Sequence, residues 1–138
     1  SRRANPRASR QRRYRREKKE KTMTGKEQKA QVLSECIGKA QQMLELIEYA
    51  DDSIVGKTLL DKSAGTITLF AFDKGQKLSE HMAPYDAVVQ ILDGKARITI
   101  AGNQKEVSQG QIIIMPANVP HAVDAGERFK MLLTMIRA

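Results

Sequence analysis

The chain contains two histidines, His81 and His121, and each follows a turn glycine in a similar segment. The first segment begins at Gly75 and continues through His81 to Gly94, and the second begins at Gly110 and ends at His121. Each combines a turn glycine, an apolar strand and one imidazole. In an all-β fold, two such segments can pair across a barrel and direct both imidazoles into one cavity. Imidazole binds metals and titrates near neutral pH, so this pair is the candidate site of chemistry.

Short β-strands are the elements that must position these histidines. After Ser53 the sequence consists of brief apolar runs separated by turn residues, and strands at such regular spacing favour a sandwich or barrel. Asp93-Gly94 and Gly102-Asn103 predict hairpins, because a tight turn requires positive φ. The predicted strands are Ile54–Leu60, Thr66–Phe72, Ala87–Leu92, Ala96–Ile100, Gln111–Met115, Val119–Val123 and Phe129–Ile136.

Residues 24–52 are predicted to form one amphipathic helix before a barrel over residues 53–138. Thr24 and Glu27 fit a capping box at the helix start. Apolar residues then recur at helical spacing, which indicates one apolar stripe. The helix is expected to end near Asp51, and its stripe must be covered by the chain's own barrel or by a second subunit. The stripe consists of Val32, Leu33, Cys36, Ile37, Ala40, Met43, Leu44 and Ile47.

Residues 1–23 are predicted to be a disordered basic tail. Residues 1–22 carry eight arginines and three lysines against two glutamates, whereas the remainder of the chain is nearly neutral. Such a segment has too few apolar residues to offset its ordering entropy. One interpretation is an arm that neutralises nucleic-acid phosphates, and it requires these residues to be native. The other is non-native sequence upstream of an ordinary start at Met23.

Composition limits the class of protein further. A length of 138 residues favours one folded domain. The single cysteine, Cys36, excludes an intrachain disulfide and fits a reducing compartment. No apolar run reaches membrane-span length and no signal-peptide core follows the basic start, so we predict a cytoplasmic protein without a membrane partner.

The first histidine segment resembles the first motif of the cupin superfamily. That motif has a glycine, then two histidines separated by one residue, then a glutamate and a final glycine. Gly75, His81 and Gly94 match it here, whereas Ala83 stands at the second histidine and Ala87 at the glutamate. The spacing between the matching positions is what makes the resemblance specific for fold.

The second histidine segment resembles the second cupin motif. Gly110, Pro116 and His121 match its glycine, proline and histidine. Asn118 stands for a second glycine, and asparagine is the non-glycine residue best suited to a left-handed turn. Ala125 replaces a final asparagine. Together the motifs imply an all-β double-stranded β-helix, or jelly-roll, barrel of the RmlC-like type, similar to small single-domain cupins that are mostly uncharacterised.

The departures from the motifs weaken the expected metal site. Metal-dependent cupins typically use three histidines and one glutamate, and here the resemblance leaves His81 and His121 as metal ligands. A divalent Zn, Ni, Fe or Mn ion prefers at least three protein ligands. Strand parity directs Asp86 and Gln90 away from the histidines, so these residues and Glu80 are poor third-ligand candidates unless a bulge intervenes. The predicted pocket-lining residues are Tyr85, Met115, Met131 and Met135.

Three hypotheses for the histidine pair remain open: a degenerate metal site, a metal-free pocket for an anionic or polar ligand, and a buried pair without present function. The first two predict a cupin that binds a small molecule beside a weak or vestigial metal site. The alternative is a metal-dependent cupin enzyme, a dioxygenase or isomerase of a small polar substrate. A second alternative is an interaction protein with a nucleic-acid-binding arm.

A homodimer is also predicted. The strand Phe129–Ile136 is apolar on both faces, so each face requires a cover. One face can line the barrel, and the other must meet the helix or another subunit. Cupins commonly dimerise through such surfaces, so we expect an interface formed by the helix, by this strand, or by both.

Overall fold

The computed structural model describes residues 30–138, which form an all-β barrel with two 3-10 turns. The basic tail and residues 24–29 of the predicted helix lie outside the described residues. The turns are Ser34–Cys36 and Met43–Glu45. The strands are β1 Gln31–Val32, β2 Ile54–Lys62, β3 Gly65–Phe72, β4 Lys77–His81, β5 Asp86–Ile100, β6 Asn103–Ser108, β7 Ile112–Met115, β8 His121–Asp124 and β9 Phe129–Ile136.

The strands form two antiparallel layers that share β5. The larger layer has the order β1-β2-β3-β9-β5-β7, and the smaller has the order β4-β8-β5-β6. The first half of β5 pairs with β7 and β9, and its second half pairs with β6 and β8. The predicted all-β jelly-roll fold is therefore confirmed. No helix within residues 30–138 is long and apolar enough to cross a membrane.

The barrel interior is filled by alternate residues of the strands, as a two-residue side-chain period requires. Phe72 and Phe129 are fully buried at its centre, with ring centroids 4.5 Å apart. Around them pack Ala87, Val89, Ile91, Ala96, Ile98, Val107, Met115, Val123, Ala125 and Met131.

The predicted amphipathic helix is wrong over the described residues 30–52. Gln31 and Val32 instead pair with β2, and Gly38 has a φ of 65°, which an α-helix does not accommodate. Only two short 3-10 turns remain of the helical pattern. Of the predicted stripe, Ile47 alone is buried, together with Leu46, against the outer face of the larger sheet, whereas five of the eight stripe residues are exposed. Tertiary packing overrides local helix propensity here.

This irregular segment, residues 33–50, is called the N-terminal strap below. The ammonium groups of two sheet lysines hold it: Lys57 donates to the Leu46 carbonyl at 3.1 Å, and Lys130 donates to the Leu44 carbonyl at 2.7 Å. The Tyr49 hydroxyl also donates to an Asp93 carboxylate oxygen at 2.7 Å. The sheet therefore satisfies backbone carbonyls that a helix would have satisfied internally.

The hairpin predicted at Asp93-Gly94 is wrong, because the two strands predicted on either side form one long strand, β5. The register with β9 shifts between Ile91 and Asp93, which marks a bulge rather than a turn. Gly94 has a φ of 72°, and a Cβ there would collide with the Arg128 carbonyl. The second predicted hairpin is present between β5 and β6, with positive φ at Ala101 and at the following glycine.

Candidate functional site

Two neighbouring strands of the smaller layer bring the two histidines together. His81 ends β4 and His121 begins β8, and the ladder pairs them directly across the strands. A register irregularity between Leu78 and His81 precedes this pair. His121 is buried, with 5% of its surface exposed, whereas His81 lies at the exposed end of its strand. The pair therefore joins the barrel interior to solvent.

Both imidazole rings are oriented by main-chain carbonyls. His81 Nδ1 lies 2.9 Å from the Ser79 carbonyl oxygen, and His121 Nδ1 lies 3.2 Å from the Val119 carbonyl oxygen. A carbonyl oxygen can only accept, so in both rings the hydrogen bond places a proton on Nδ1. In a neutral ring Nε2 then carries the lone pair. The two Nε2 atoms face each other at 3.1 Å, with the rings nearly edge to face.

Two lone pairs at that distance repel each other, and a cation between or beside the Nε2 atoms would remove this repulsion. A single proton serves this role by turning the contact into an N–H···N hydrogen bond. A second proton is disfavoured: burial of the ring, and to a lesser extent the nearby His81, lower the pKa of His121, against the opposing Val119 hydrogen bond. Positive charge on both rings at once is therefore disfavoured.

The loop that contains Asn118 is hydrogen-bonded to the segment that follows His81. Asn118 has a φ of 62°, as the substitution for glycine predicts, and its N–H donates to the Ala83 carbonyl at 2.8 Å. The Ala117 N–H donates to the Asp86 carboxylate at 2.8 Å. The loop before His121 is therefore pinned to the segment after His81, and this fixes the spacing of the rings.

The structure does not bring the candidate third ligands Asp86, Gln90 and Glu80 to the histidines. Asp86 is exposed and faces away from the barrel interior on β5, in agreement with the predicted parity, and its carboxylate accepts the Ala117 N–H. Gln90 has the same outward parity, opposite buried neighbours at Val89 and Ile91. Glu80 is exposed on β4. Within residues 30–138, no group of three or more histidine, cysteine, aspartate or glutamate side chains is placed to hold a metal.

The two histidines nevertheless fit a metal as a pair. Metal–nitrogen bonds of about 2.1 Å allow two ligand atoms on one ion to lie up to roughly 4.2 Å apart. The observed Nε2 separation is 3.1 Å, and both Nδ1 atoms have the carbonyl contacts that metal-bound histidines usually make. Ala83 and Ala87 offer no ligand atom, so any further ligands would be water or a bound molecule.

The structure places the predicted pocket-lining residues in different parts of the barrel. Met115 is buried opposite Ala87, which also pairs with Met135, so the two methionines flank Ala87 on the inward face. Tyr85 is half-buried in the segment before β5. Met131 is 1% exposed and belongs to the main core with Phe72 and Phe129. Sequence reasoning did not identify the carbonyls of Ser79 and Val119, which orient the rings, since main-chain atoms leave no residue-type signal.

Comparison with known proteins identifies relatives of this barrel. The model of the cupin domain family matches residues 68–136. A protein of unknown function from Streptococcus pyogenes is 39% identical, with a TM-score of 0.70, and the match covers 72% of this chain and 88% of that one. No curated protein matches the chain.

Two further solved structures are similar. A cupin 2 conserved barrel domain protein from Leptotrichia buccalis is 40% identical with a TM-score of 0.66, over 68% of this chain and 46% of that one. This chain thus spans less than half of the Leptotrichia protein. A cupin superfamily protein from Desulfitobacterium hafniense is 25% identical with a TM-score of 0.72, and the match covers 80% of this chain and 100% of that one.

Proposed function

The chain belongs to the cupin family, and from that premise we propose that it is a small-molecule-binding cupin whose ligand-binding centre is the pair His81 and His121. The centre takes one cation, either a proton or a weakly held divalent metal. A ligand with a polar or anionic group then binds to that cation or to the imidazoles. The observation that supports this proposal is the 3.1 Å approach of two Nε2 atoms whose Nδ1 atoms both face carbonyls.

The number of protein ligands favours a weak metal site over a metalloenzyme centre. Catalytic zinc sites normally have three protein ligands and one open position. This barrel has two imidazoles, and alanines occupy both positions at which metal-dependent cupins have the other ligands. If a metal binds, it supplies positive charge for an oxygen of the ligand, and His81 and His121 hold it through Nε2.

The methionines beside Ala87, which stands at the glutamate position of the first motif, favour a ligand with an apolar part. The inward residues near Ala87 are Met115 and Met135, and thioether side chains adapt to irregular shapes. Below them the barrel core is aliphatic and aromatic. A polar group at the histidines and an apolar body against the methionines would satisfy both surfaces, as small-molecule sites usually do.

The metal part of the proposal is tested by titrating tag-free protein with Zn²⁺ in a calorimeter. We expect one weak site per chain that EDTA empties completely. His81→Ala and His121→Ala should each weaken Zn²⁺ binding at least tenfold, because one imidazole cannot chelate. Gln104→Ala, in the exposed β5–β6 hairpin, is the matched control and should bind as the wild type does. A stoichiometric metal that survives EDTA would overturn the weak-site proposal and favour a metal-dependent enzyme.

The ligand part is tested separately, in EDTA and again with excess Zn²⁺. Small carboxylic acids of increasing chain length are screened for the rise in melting temperature they cause. We expect stabilisation that increases with an apolar chain of moderate length and that is lost in His121→Ala. Equal stabilisation of wild type and His121→Ala by every acid would show that the pair is not the binding centre.

A further inference from the structure

We infer that Thr66 and Thr68 form a second subsite, which binds a hydroxyl group of the ligand held at the histidine pair. The inference rests on the proposed function and deepens it, because it names the ligand as a small hydroxy acid. The acid group lies at the imidazoles, and the hydroxyl lies several carbon atoms away against strand β3.

Strand β3 has polar side chains on its inner face at one end of the barrel. Leu69 packs beneath the N-terminal strap on the outer face, whereas Phe70 and Phe72 pack in the barrel core. Because side chains alternate along a strand, Thr66 and Thr68 share the inner face with the two phenylalanines. A hydroxyl buried without a partner is destabilising, and valine has almost the same shape without that group. Threonine at two inner positions therefore favours a polar function there.

The strand order places β3 across the barrel from β4. Each is the second strand from β5, which both layers share: β3 follows β9 in the larger layer, and β4 follows β8 in the smaller one. A short turn joins β3 directly to β4, and there the Gly75 N–H donates to the Ala125 carbonyl at 2.7 Å. The two layers therefore meet at this turn, and His81 at the end of β4 lies opposite β3.

Thr68 lies at the same level of the barrel as the histidine pair. Counted from the β3–β4 turn, Thr68 is the third inward residue of its strand, with Phe72 as the first. His121 is the third inward residue of the opposite layer from the same end, with Ala125 as the first. Opposed layers lie about 10 Å apart and side chains project from both, so a ligand with about three to six carbon atoms can contact both.

The Thr68 hydroxyl is available to such a ligand. Thr68 is 7% exposed, and no side-chain hydrogen bond within residues 30–138 involves its hydroxyl. No fully buried side-chain nitrogen or oxygen of these residues lacks a partner, so this hydroxyl opens onto space that solvent reaches inside the barrel. A threonine hydroxyl both donates and accepts, and a ligand hydroxyl is the neutral group that matches both roles.

The charges beside the threonines neutralise each other, which favours a hydroxyl over a second charged group. Asp61 pairs with Thr66 in the ladder, and Arg137 Nη1 lies 3.7 Å from the Asp61 carboxylate. Arg137 also donates to the Lys62 carbonyl at 2.6 Å. A second carboxylate on the ligand would compete with Asp61 for this guanidinium, whereas a hydroxyl would leave the ion pair intact.

Met135 connects the two subsites. It pairs with Ala87 on one side and with Thr66 on the other, so an apolar surface leads from the methionines directly to the threonines. A hydrocarbon chain can lie against this surface while its two polar ends reach the histidines and the hydroxyls. The order of side chains therefore matches a hydroxy acid whose two polar groups are separated by a short chain.

The test compares each alkanoate with the ω-hydroxyalkanoate of the same length, from propanoate to hexanoate, by calorimetry in EDTA. At one length we expect the hydroxy acid to bind at least about fivefold more tightly, the gain of one added hydrogen bond. Thr68→Val should abolish this preference, because valine keeps the shape and lacks the hydroxyl. Thr66→Val should reduce it.

Two further variants control the comparison. Thr68→Ser retains a hydroxyl and should retain the preference. Thr99→Val is the same exchange on an outward position of β5, between the inward residues Ile98 and Ile100, and should bind both acids as the wild type does. Circular dichroism melting establishes that each variant is folded. If Thr68→Val does not fold, Thr66→Val and Thr68→Ser decide the comparison.

The two proposals fail in different ways. Equal binding of the two acids by wild type at every length would overturn the hydroxyl subsite, and so would a preference that survives in both valine variants. His121→Ala should weaken every acid, with or without a hydroxyl. If it binds them all as the wild type does, the proposed function fails, while the ratio between the two acids still decides the threonine subsite. Absence of any binding to wild type would overturn both proposals.

Discussion

The inner and outer faces of the larger sheet are buried in different ways. The inner face meets the smaller layer, and regular strands with alternating side chains supply both sides of that core. The outer face is covered in part by the N-terminal strap, which has no α-helix and only two 3-10 turns. Apolar side chains of the sheet are therefore covered by regular strands on the inner face. On the outer face they are covered in part by an irregular segment that side chains of the sheet hold in place.

The difference shows what an apolar pattern specifies. In a strand the two-residue period fixes which side chains are buried, because the ladder fixes the backbone. In the strap, Leu46, Ile47 and Ala50 are buried although the backbone is not helical. Lys57 and Lys130 satisfy strap carbonyls from the sheet. Of the eight residues in the predicted stripe, Ile47 alone is buried, so helical spacing predicted neither the conformation nor the buried residues of this segment.

The largest effect is expected inside the barrel, from Phe129→Ala. Phe129 is fully buried and stacks on Phe72, so truncation leaves a cavity that the surrounding strands cannot close. We expect a loss of about 3–5 kcal/mol in the free energy of unfolding, measured by urea denaturation. Ile136→Ala, on the same strand but 47% exposed, is the control and should change it little. Similar losses in the two variants would contradict the inner-core assignment.

A smaller and more local effect is expected on the outer face, from Ile47→Ala. Ile47 is 1% exposed and packs in the cluster beneath the strap. We expect a loss of about 2 kcal/mol, at the low end for such substitutions, because the strap can shift toward the sheet. Hydrogen exchange should quicken in the strap and not in β5 or β9. Faster exchange throughout the barrel would show that the two faces unfold as one unit.

The sequence predicted the inner face better than the outer one. Period-two alternation located β2, β3 and β9 closely, but it missed β4 and β6, whose exposed residues are largely polar and carry little apolar signal. Asp93-Gly94 was interpreted as a turn because a tight turn requires positive φ. A bulge accommodates positive φ equally well, so the glycine alone does not distinguish the two. The choice between the two depends on β9, which pairs across the bulge and which local sequence does not reveal.

The candidate site, like the fold, was predicted only in part from the sequence. The meeting of His81 and His121 and the outward position of Asp86 followed from motif spacing and strand parity, and the structure has both. Their tautomers did not follow, because they depend on main-chain carbonyls. Met131 was expected in the pocket, but its side chain is buried in the main core. Strand parity states which face a residue occupies and not how deep along the barrel it lies.

A modest effect is expected from Tyr49→Phe, which separates polar anchoring of the strap from apolar packing. The Tyr49 hydroxyl donates to Asp93, and Arg128 and Lys130 lie over its ring at 4.9 and 5.0 Å. Removal of the hydroxyl keeps the ring contacts and is expected to cost about 1 kcal/mol in unfolding free energy. Asp93→Asn is the companion variant. No change in strap hydrogen exchange in either variant would show that packing alone holds the strap.

The smallest effect concerns pH and distinguishes the histidine end of the barrel from its apolar core. Burial lowers the pKa of His121 below its ordinary value of 6.5, so below that pH the unfolded chain binds more protons than the folded one. The stabilising contribution of neutral His121 is therefore complete above pH 6.5 and is lost as the pH falls toward the folded pKa. The nearby His81 is a smaller cause that acts in the same direction as burial, and we expect a loss of less than about 1 kcal/mol between pH 7.5 and 5.5. Urea denaturation of wild type and His121→Asn in EDTA measures it, and the variant should lose less stability on acidification. An equal loss in both proteins would place the pH dependence elsewhere in the chain.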